Sequence, residues 1–188
     1  MVRTETPLCE FGAAAPDFAL QGVDGRRWTL QDCMGPNGLL VMFICNHCPY
    51  VRAINRKLVR DARDLARLGV NCVAINPNDS VVYPEDSFEN MQRAAAENDY
   101  PFPYLLDATQ EVAKAYGAVC TPDFFGYNAD LELQYRGRLD ESGKGPAGGD
   151  SRRELYEAMK RVAETGRGPE HQLPSMGCSI KWREAPVI

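Results

Sequence analysis

The amino-acid sequence predicts an α/β protein whose central mixed sheet is flanked by helices, and three observations lead to this class. The apolar run at 39–44 is continuous rather than alternating, which is typical of a strand buried on both faces, and the mostly apolar segment at 70–75 is interpreted as a second buried strand. An amphipathic helical pattern separates them over 49–68. Two further strand patterns within 124–138 have hairpin spacing, and they add antiparallel strands to the parallel pair.

A β-hairpin is predicted near the N-terminus. Two strand-like segments, 17–20 and 27–30, flank a Gly-Val-Asp-Gly sequence at 22–25, and an Asp-Gly pair between short strands marks a tight turn. Residues 1–16 contain glycine, proline and three consecutive alanines. We interpret them as an extended segment that leads into the hairpin.

Prolines and glycines set the predicted helix boundaries. The helix at 49–68 begins at a proline, and Gly69 is placed to end it. Pro84 opens a second helix that is predicted to run to residue 98, since proline is accepted in the first helical turn. The remaining elements before the last helix are an extended piece at 103–106, a helix at 109–116, strands at 124–128 and 133–138, and a mobile Gly- and Lys-rich loop at 141–149.

The C-terminal part contains one more helix and a tail. Ser151 and Glu154 have the spacing of a capping box, so the last helix is predicted to begin there. Residues 167–188 show no regular period and are interpreted as a tail. With no internal repeat, we predict a single domain over 1–188 whose core lies at about 15–166.

The composition indicates an ordinary globular protein and excludes some classes of binding partner. The chain has 188 residues, 44% of them hydrophobic and 25% charged, as in ordinary globular proteins. Its formal net charge of −5 argues against nucleic acid or an anionic membrane as a partner. The longest apolar run is far too short to span a bilayer, and the first residues lack the apolar core of a signal peptide. We therefore expect a cytoplasmic location.

The most informative motif is Cys45-Asn46-His47-Cys48-Pro49, at the junction between the first buried strand and its helix. A Cys-x-x-Cys in this setting is typical of a redox dithiol, because one helical turn brings the two sulfurs to bonding distance. Cys45 is expected at the helix N-terminus, with Cys48 one turn inside, so that exposed N–H groups favour the Cys45 thiolate. Two buried cysteines, or half of a zinc site, are the alternatives.

The other cysteines do not form a disulfide framework. The chain has seven cysteines, an odd number, and only one pair is closely spaced. We predict one redox pair and five thiols that are mostly structural. Cys120 and Cys178 are the candidates for a third redox thiol, although burial is the preferred interpretation of both.

Two motifs together resemble the thioredoxin superfamily. One is the Cys45-to-Pro49 motif, and the other is Val119-Cys120-Thr121-Pro122, just before the hairpin strands. The resemblance covers roughly 15–166 and implies a thioredoxin fold with an N-terminal β-hairpin extension. The hairpin resembles the redoxin branch, which includes peroxiredoxins and membrane-anchored disulfide reductases. The Cys-Asn-His-Cys-Pro motif is similar to that of a group of soluble bacterial thioredoxin-like proteins.

The resemblance implies a thiol–disulfide oxidoreductase that reduces, oxidises or isomerises disulfides without a cofactor. Cys45 would be the exposed nucleophile and Cys48 the shielded resolving thiol. Pro122 would follow a cis peptide bond facing the dithiol, and Thr121 would offer its backbone to an extended substrate peptide. The implied partners are protein or small-molecule disulfides or dithiols and an unknown reductase or oxidase.

The residues between the cysteines depart from the usual thioredoxin pattern. Asn46 and His47 replace the Gly-Pro of many thioredoxins, and His47 is predicted to lower the pKa of the Cys45 thiol and make the disulfide more oxidising. The alternative is an exposed histidine that the site merely tolerates. The strand at 39–44 lacks the buried acid that helps to deprotonate the resolving cysteine, so Cys48 must use water or another group.

A thiol peroxidase is the first rival function. Peroxiredoxins present Pro-x-x-x-Thr-x-x-Cys, whose hydroxyl and backbone groups help to hold the peroxide. Counting back from Cys45 gives Met42 and Gly38, and counting back from Cys48 gives Cys45 and Val41. Neither cysteine has the required threonine and proline, so the sequence disfavours a peroxidase.

A metal-binding structural module is the second rival. Cys45, His47 and Cys48 could provide two or three ligands, with Cys120 or Cys178 as another. Structural zinc takes four ligands, usually from paired motifs. The chain has no second Cys-x-x-Cys, so we predict no metal site.

Overall fold

A mixed sheet of seven strands organises the protein in the computed structural model, which describes residues 3–142 and 151–183. The strands of the described part are β1 (Arg3–Glu5), β2 (Ala19–Gly22), β3 (Arg27–Thr29), β4 (Gly38–Phe43), β5 (Val70–Asn76), β6 (Tyr104–Leu106), β7 (Cys120–Thr121), β8 (Asp123–Tyr127), β9 (Leu133–Tyr135) and β10 (Met176–Ser179). The helices are α1 (Leu30–Cys33), α2 (Pro49–Arg67), α3 (Phe88–Glu97), α4 (Glu111–Tyr116) and α5 (Glu154–Thr165), with a 3₁₀ turn at Pro84–Asp86.

The large sheet has the order β3-β2-β6-β5-β4-β8-β9. Strand β4 lies parallel to β5, with Leu40 opposite Cys72, and antiparallel to β8. Strand β6 runs parallel to β5, and the β2–β3 hairpin joins its far side through an antiparallel pair. The predicted mixed sheet with an N-terminal hairpin is therefore confirmed.

Alternate residues of β4 face two separate hydrophobic clusters, because successive side chains of a strand point to opposite faces. Met42 packs in a cluster that contains Leu58 of α2 and Met159 of α5. Phe43 packs in the other cluster, which contains Tyr116 of α4. All six residues of β4 are buried, so this strand is the rigid centre from which the Cys-x-x-Cys segment emerges.

Two predicted helix starts differ from the structure. The pattern at 84–98 forms a 3₁₀ turn followed by α3, because the Ser87 side chain accepts a hydrogen bond from the Asn90 N–H and begins a new helix there. Helix α5 begins at Glu154 with Arg153 as its N-cap, so the predicted capping box from Ser151 does not begin the helix. The predicted loop at 141–149 lies outside the described residues from 143 onward.

The segments interpreted as a lead-in and a tail contain a second sheet. Strand β10 pairs with β1 on one edge and with β7 on the other, both antiparallel. The prediction of an irregular tail is wrong for β10. This strand is stabilised by pairing with the distant strands β1 and β7, and no local sequence pattern marks it. Among the described helices, none combines the length and apolar character that crossing a membrane requires.

Candidate active site

The two cysteines of the motif lie between the end of β4 and the start of α2. Pro49 is the first residue of α2 and Cys48 is its N-cap, so the prediction that Cys45 starts the helix is wrong. Proline fits this first position because it lacks the N–H that would be unpaired there. As a consequence, the unpaired N–H groups of the helix terminus lie next to Cys48 rather than next to Cys45.

Both cysteines contact the loop that carries the cis-proline. The Thr121–Pro122 peptide bond is cis, in agreement with the prediction. The Cys45 sulfur lies 3.2 Å from the Thr121 hydroxyl, and the Cys48 sulfur lies 3.1 Å from the Thr121 carbonyl oxygen. The sequence therefore placed these four residues together correctly.

The expectation of an exposed nucleophile is not met. Only 2% of Cys45 and none of Cys48 is accessible to solvent. The conformation described here is thus a closed one, in which a substrate has no direct path to either sulfur.

Strand β10 accounts for part of this closure. Its Cys178 pairs with Thr121 and its Ser179 pairs with Cys120 in an antiparallel register. The backbone edge that was predicted to receive a substrate peptide is therefore occupied by the protein's own C-terminal strand. Gly177 permits this approach, because a Cβ atom there would lie 2.1 Å from the Thr121 carbonyl oxygen.

The two candidates for a third thiol have different surroundings. Both Cys120 and Cys178 are buried, as predicted. The Cys178 sulfur lies 3.1 Å from the Cys48 sulfur, whereas the Cys120 sulfur contacts the Pro122 carbonyl oxygen at 3.4 Å. Burial raises the pKa of the Cys120 thiol far above its usual range, so this thiol stays protonated.

A buried carboxylate next to the motif was missed by the sequence analysis. Asp86, from the 3₁₀ turn, has no solvent exposure, and one of its oxygens lies 2.7 Å from His47 Nδ1. It also accepts hydrogen bonds from the Asn46 N–H at 2.8 Å and from the Asn78 side-chain amide at 2.7 Å. In the sequence, Asp86 looks like an ordinary acidic residue in the first turn of a helix, and no local signal marks it as part of the site.

The partly buried His47 and the buried Asp86 form an ion pair when His47 is protonated. The hydrogen bond to Asp86 raises the pKa of His47, although partial burial acts in the opposite direction. Burial alone would raise the pKa of Asp86, but hydrogen bonds from His47 and Asn78 outweigh it and hold that pKa below its usual range. When His47 is protonated, its positive charge is therefore directed to a carboxylate rather than to the dithiol.

Asn46 fastens the segment between the cysteines to its surroundings. Its side-chain amide donates to the Glu85 carbonyl oxygen at 3.0 Å, and its side-chain oxygen accepts from the Tyr104 hydroxyl at 2.9 Å. These contacts join the motif to the 3₁₀ turn and to β6. Asn46 is thus positioned to fix the shape of the motif.

The electrostatic environment favours a thiolate on Cys48, which differs from the predicted thiolate on Cys45. The pKa of Cys48 is lowered to about 5, and the hydrogen bond from the Cys45 thiol is the largest cause. Burial acts in the opposite direction, and hydrogen bonds from the Cys178 thiol and the Val51 N–H lower the pKa further. The same hydrogen bond to Cys48, together with burial and the Asp86 carboxylate, raises the pKa of Cys45 well above its usual range. The two thiols are coupled, so the same contact that lowers the pKa of Cys48 raises the pKa of Cys45.

One group of donors could hold a metal ion. Ligand atoms of Cys45, His47 and Asp86 all lie within 4.8 Å of one another. These three are one fewer than structural zinc requires, and the His47–Asp86 hydrogen bond already occupies two of them. The described donors therefore suit proton handling beside Cys45 better than metal coordination.

A polar pocket of about 560 Å³ adjoins the motif. Asn46 and His47 form one side of it, and Arg52, Arg93 and Glu85 are among the charged residues of its lining. This pocket lies beside the segment that joins the two cysteines. Neither cysteine lines the pocket, so it borders the motif at Asn46 and His47 but not at the two sulfurs.

The sheet and the dithiol facing a cis-proline define a protein of the thioredoxin superfamily. Within it, residues 11–141 match the AhpC/TSA family, and the chain belongs to this family. None of the curated proteins with which the chain was compared matches it.

Several solved structures are similar to the protein. An uncharacterized conserved protein from Geobacillus kaustophilus is 48% identical, with a TM-score of 0.91 and coverage of 98% of each chain. A hypothetical protein from Sinorhizobium meliloti 1021 is 39% identical, with a TM-score of 0.91 over 97% of this chain and 100% of that one. The thioredoxin domain of a thiol-disulfide oxidoreductase from Bacteroides vulgatus is 19% identical, with a TM-score of 0.57 over 67% of this chain and 86% of that chain. At that identity the last likeness concerns the fold alone.

The ion pair at the site predicts a pH dependence of stability. Because the pKa of His47 is raised in the folded protein, its contribution is complete below the ordinary histidine pKa of about 6.5 and is lost as pH rises through the raised value. Asp86 has a lowered pKa, so its contribution is present above its ordinary pKa and is lost as pH falls through the folded value. Urea unfolding of the wild type and of His47→Gln should show a difference in stability that is largest in mildly acidic buffer and shrinks above the His47 pKa. A difference that is constant across this range would contradict the assignment.

Proposed function

We propose that the protein is a thiol–disulfide oxidoreductase whose Cys45 and Cys48 form a reversible disulfide. The observation that carries this proposal is that both sulfurs contact Thr121, at 3.2 and 3.1 Å, next to the cis bond to Pro122. Membership of the AhpC/TSA family supports redox chemistry at cysteine but does not distinguish disulfide exchange from peroxide reduction.

In the proposed reaction, Cys45 is the sulfur that bonds to the substrate. Transfer of its proton to the Cys48 thiolate leaves the Cys45 thiolate, which attacks a disulfide substrate and releases one substrate thiolate. Cys48 then gives the proton that it took up to the released substrate thiolate and attacks the Cys45 sulfur as a thiolate, so the second substrate thiolate leaves and the Cys45–Cys48 disulfide forms. The substrate gains two electrons, and the dithiol loses two.

The surroundings of Cys48 suit the resolving step. Once Cys45 is bonded to the substrate, the Cys178 thiol and the Val51 N–H still stabilise the Cys48 thiolate. These contacts take the role of the acid that is missing from β4. His47 and Asp86, whose polar atoms lie within 4.8 Å of the Cys45 sulfur, can exchange protons with it or with the leaving thiolate.

Small-molecule disulfides are the substrates that we propose, with a local opening of the motif beside the polar pocket that exposes Cys45. Strand β10 occupies the edge of β7 that an extended peptide would use, whereas the polar pocket beside Asn46 and His47 is open to small molecules. A protein substrate would require β10 to move. The odd cysteine count with one closely spaced pair favours a reducing compartment such as the cytoplasm. The net charge of −5 disfavours nucleic acid or an anionic membrane as a partner.

Turnover with two substrates tests this proposal. We expect multiple turnovers of hydroxyethyl disulfide with a reductase or dithiothreitol as electron source. With hydrogen peroxide we expect consumption no faster than that by an ordinary free thiol, because neither cysteine has the threonine and proline of a peroxidatic site. Rapid peroxide consumption that depends on Cys45, without disulfide turnover, would instead identify the protein as a peroxidase.

A further inference from the structure

Cys178 is held beside the dithiol by two strand pairings, one with the N-terminal strand β1 and one with β7. Its backbone pairs with Arg3 of β1 on one edge of β10 and with Thr121 of β7 on the other. The Gly177 backbone lies directly against the Thr121 carbonyl group. A larger residue at position 177 would therefore force β10 to shift away from β7. The placement of Cys178 is therefore built into the fold.

The sulfur of Cys178 is close enough to Cys48 to react with it. The two sulfurs are 3.1 Å apart, and a disulfide bond requires about 2.0 Å. Small rotations of two side chains can close a gap of this size. Because Cys48 also belongs to the Cys-x-x-Cys motif, its sulfur has two cysteine partners within one buried cluster.

We propose that Cys178 is a third redox-active thiol, which exchanges with the Cys45–Cys48 disulfide to form a Cys48–Cys178 disulfide. This inference rests on the proposed function, since the first disulfide must form by that route. It adds to the dithiol a second oxidised form that involves the C-terminal strand.

The exchange is balanced without any added oxidant. The Cys178 thiolate attacks the Cys48 sulfur, the Cys48–Cys178 bond forms, and the Cys45–Cys48 bond breaks. Cys45 leaves as a thiolate and takes up the proton that Cys178 lost. The protein stays oxidised by two electrons throughout, but the disulfide now lies away from the sulfur that meets the substrate.

This step has a consequence for the order of events at the site. In the Cys48–Cys178 form, Cys45 is again a free thiol while the protein remains oxidised. The Cys45 thiolate could then attack a second disulfide substrate and release one of its thiolates before the protein is reduced. The disulfide would also tie β10 covalently to the motif, so the edge of β7 stays closed in that form.

Disulfide mapping tests the proposal. The full-length wild type, Cys45→Ser and Cys178→Ala are oxidised with diamide, blocked with N-ethylmaleimide in acid, digested without reduction and analysed by mass spectrometry. Cys120→Ala is the matched control, because Cys120 is a buried thiol of the neighbouring strand whose sulfur contacts a carbonyl group. We expect Cys48 to be linked to both Cys45 and Cys178 in the wild type and in the control, and to Cys178 alone in Cys45→Ser.

The result with Cys178→Ala separates this inference from the proposed function. If Cys178→Ala and the wild type contain only the Cys45–Cys48 disulfide, and Cys45→Ser contains none with Cys178, then the third thiol is overturned while the dithiol stands. If no variant contains a Cys45–Cys48 disulfide, the proposed function itself fails. Cys45→Ser leaves β10 unchanged, so its result does not depend on whether Cys178→Ala folds.

Discussion

Replacing Cys45 with serine should lower disulfide turnover by on the order of 1000-fold or more, because the serine hydroxyl cannot replace a thiolate as the nucleophile. Replacing Cys48 should also stop turnover, but at a later step. Cys48→Ser still has Cys45 and should therefore accumulate a mixed disulfide between Cys45 and the substrate. Mass spectrometry of the intact protein after exposure to a small disulfide measures this adduct.

Cys72→Ser is the matched control for these variants. Cys72 is a buried thiol of β5, opposite Leu40 and outside the Cys-x-x-Cys motif. Its replacement should leave turnover close to that of the wild type. If Cys45→Ser forms the adduct and Cys48→Ser does not, the nucleophile is Cys48. The lowered pKa of the Cys48 thiol would agree with that result.

Replacing Gly177 with valine should open the site. Its Cβ atom would lie 2.1 Å from the Thr121 carbonyl oxygen and 3.0 Å from the Pro122 nitrogen, so β10 must move away from β7. Overpacking of this kind costs about 1–3 kcal/mol of stability. We expect alkylation of the native dithiol to become on the order of tenfold faster, since each 1.4 kcal/mol shifts a closed–open equilibrium by about that factor. Reduction of insulin, a protein disulfide substrate, should increase together with it.

Ser179→Ala is the control on the same strand. Ser179 is only partly buried, and the substitution removes a hydroxyl without adding an atom near β7. Its alkylation rate should match that of the wild type. Unchanged stability and alkylation in Gly177→Val would mean that β10 does not close the site.

Much of the framework could be predicted from the sequence, because its signals are local. The continuous apolar run of β4 and the one-sided apolar pattern of α2 locate the Cys-x-x-Cys segment at a strand–helix junction. The second motif correctly places a cis-proline at Pro122. The predicted helix start at Pro49 is confirmed, whereas the placement of Cys45 at the helix N-terminus was wrong, because Cys48 is the N-cap.

The features that set the chemistry of the site could not be predicted, because they depend on contacts between distant segments. Asp86 reaches His47 from a 3₁₀ turn 39 positions along the chain, and Cys178 reaches Cys48 across 130 positions. Strand β10 is short, and neither its composition nor its periodicity distinguishes it from a loop. The sequence therefore indicated a dithiol but assigned its thiolate to Cys45, since the neighbours that stabilise Cys48 were unknown.

A redox titration of the wild type tests the central claim most directly. The protein is equilibrated with mixtures of reduced and oxidised glutathione, alkylated, and analysed by mass spectrometry for the state of Cys45 and Cys48. Because a stabilised Cys48 thiolate stabilises the reduced form, we predict a two-electron transition that involves both cysteines, at a potential less negative than the value of about −270 mV for thioredoxin. A Cys45–Cys48 redox pair is contradicted if both cysteines remain alkylated at every glutathione ratio, with no two-electron transition.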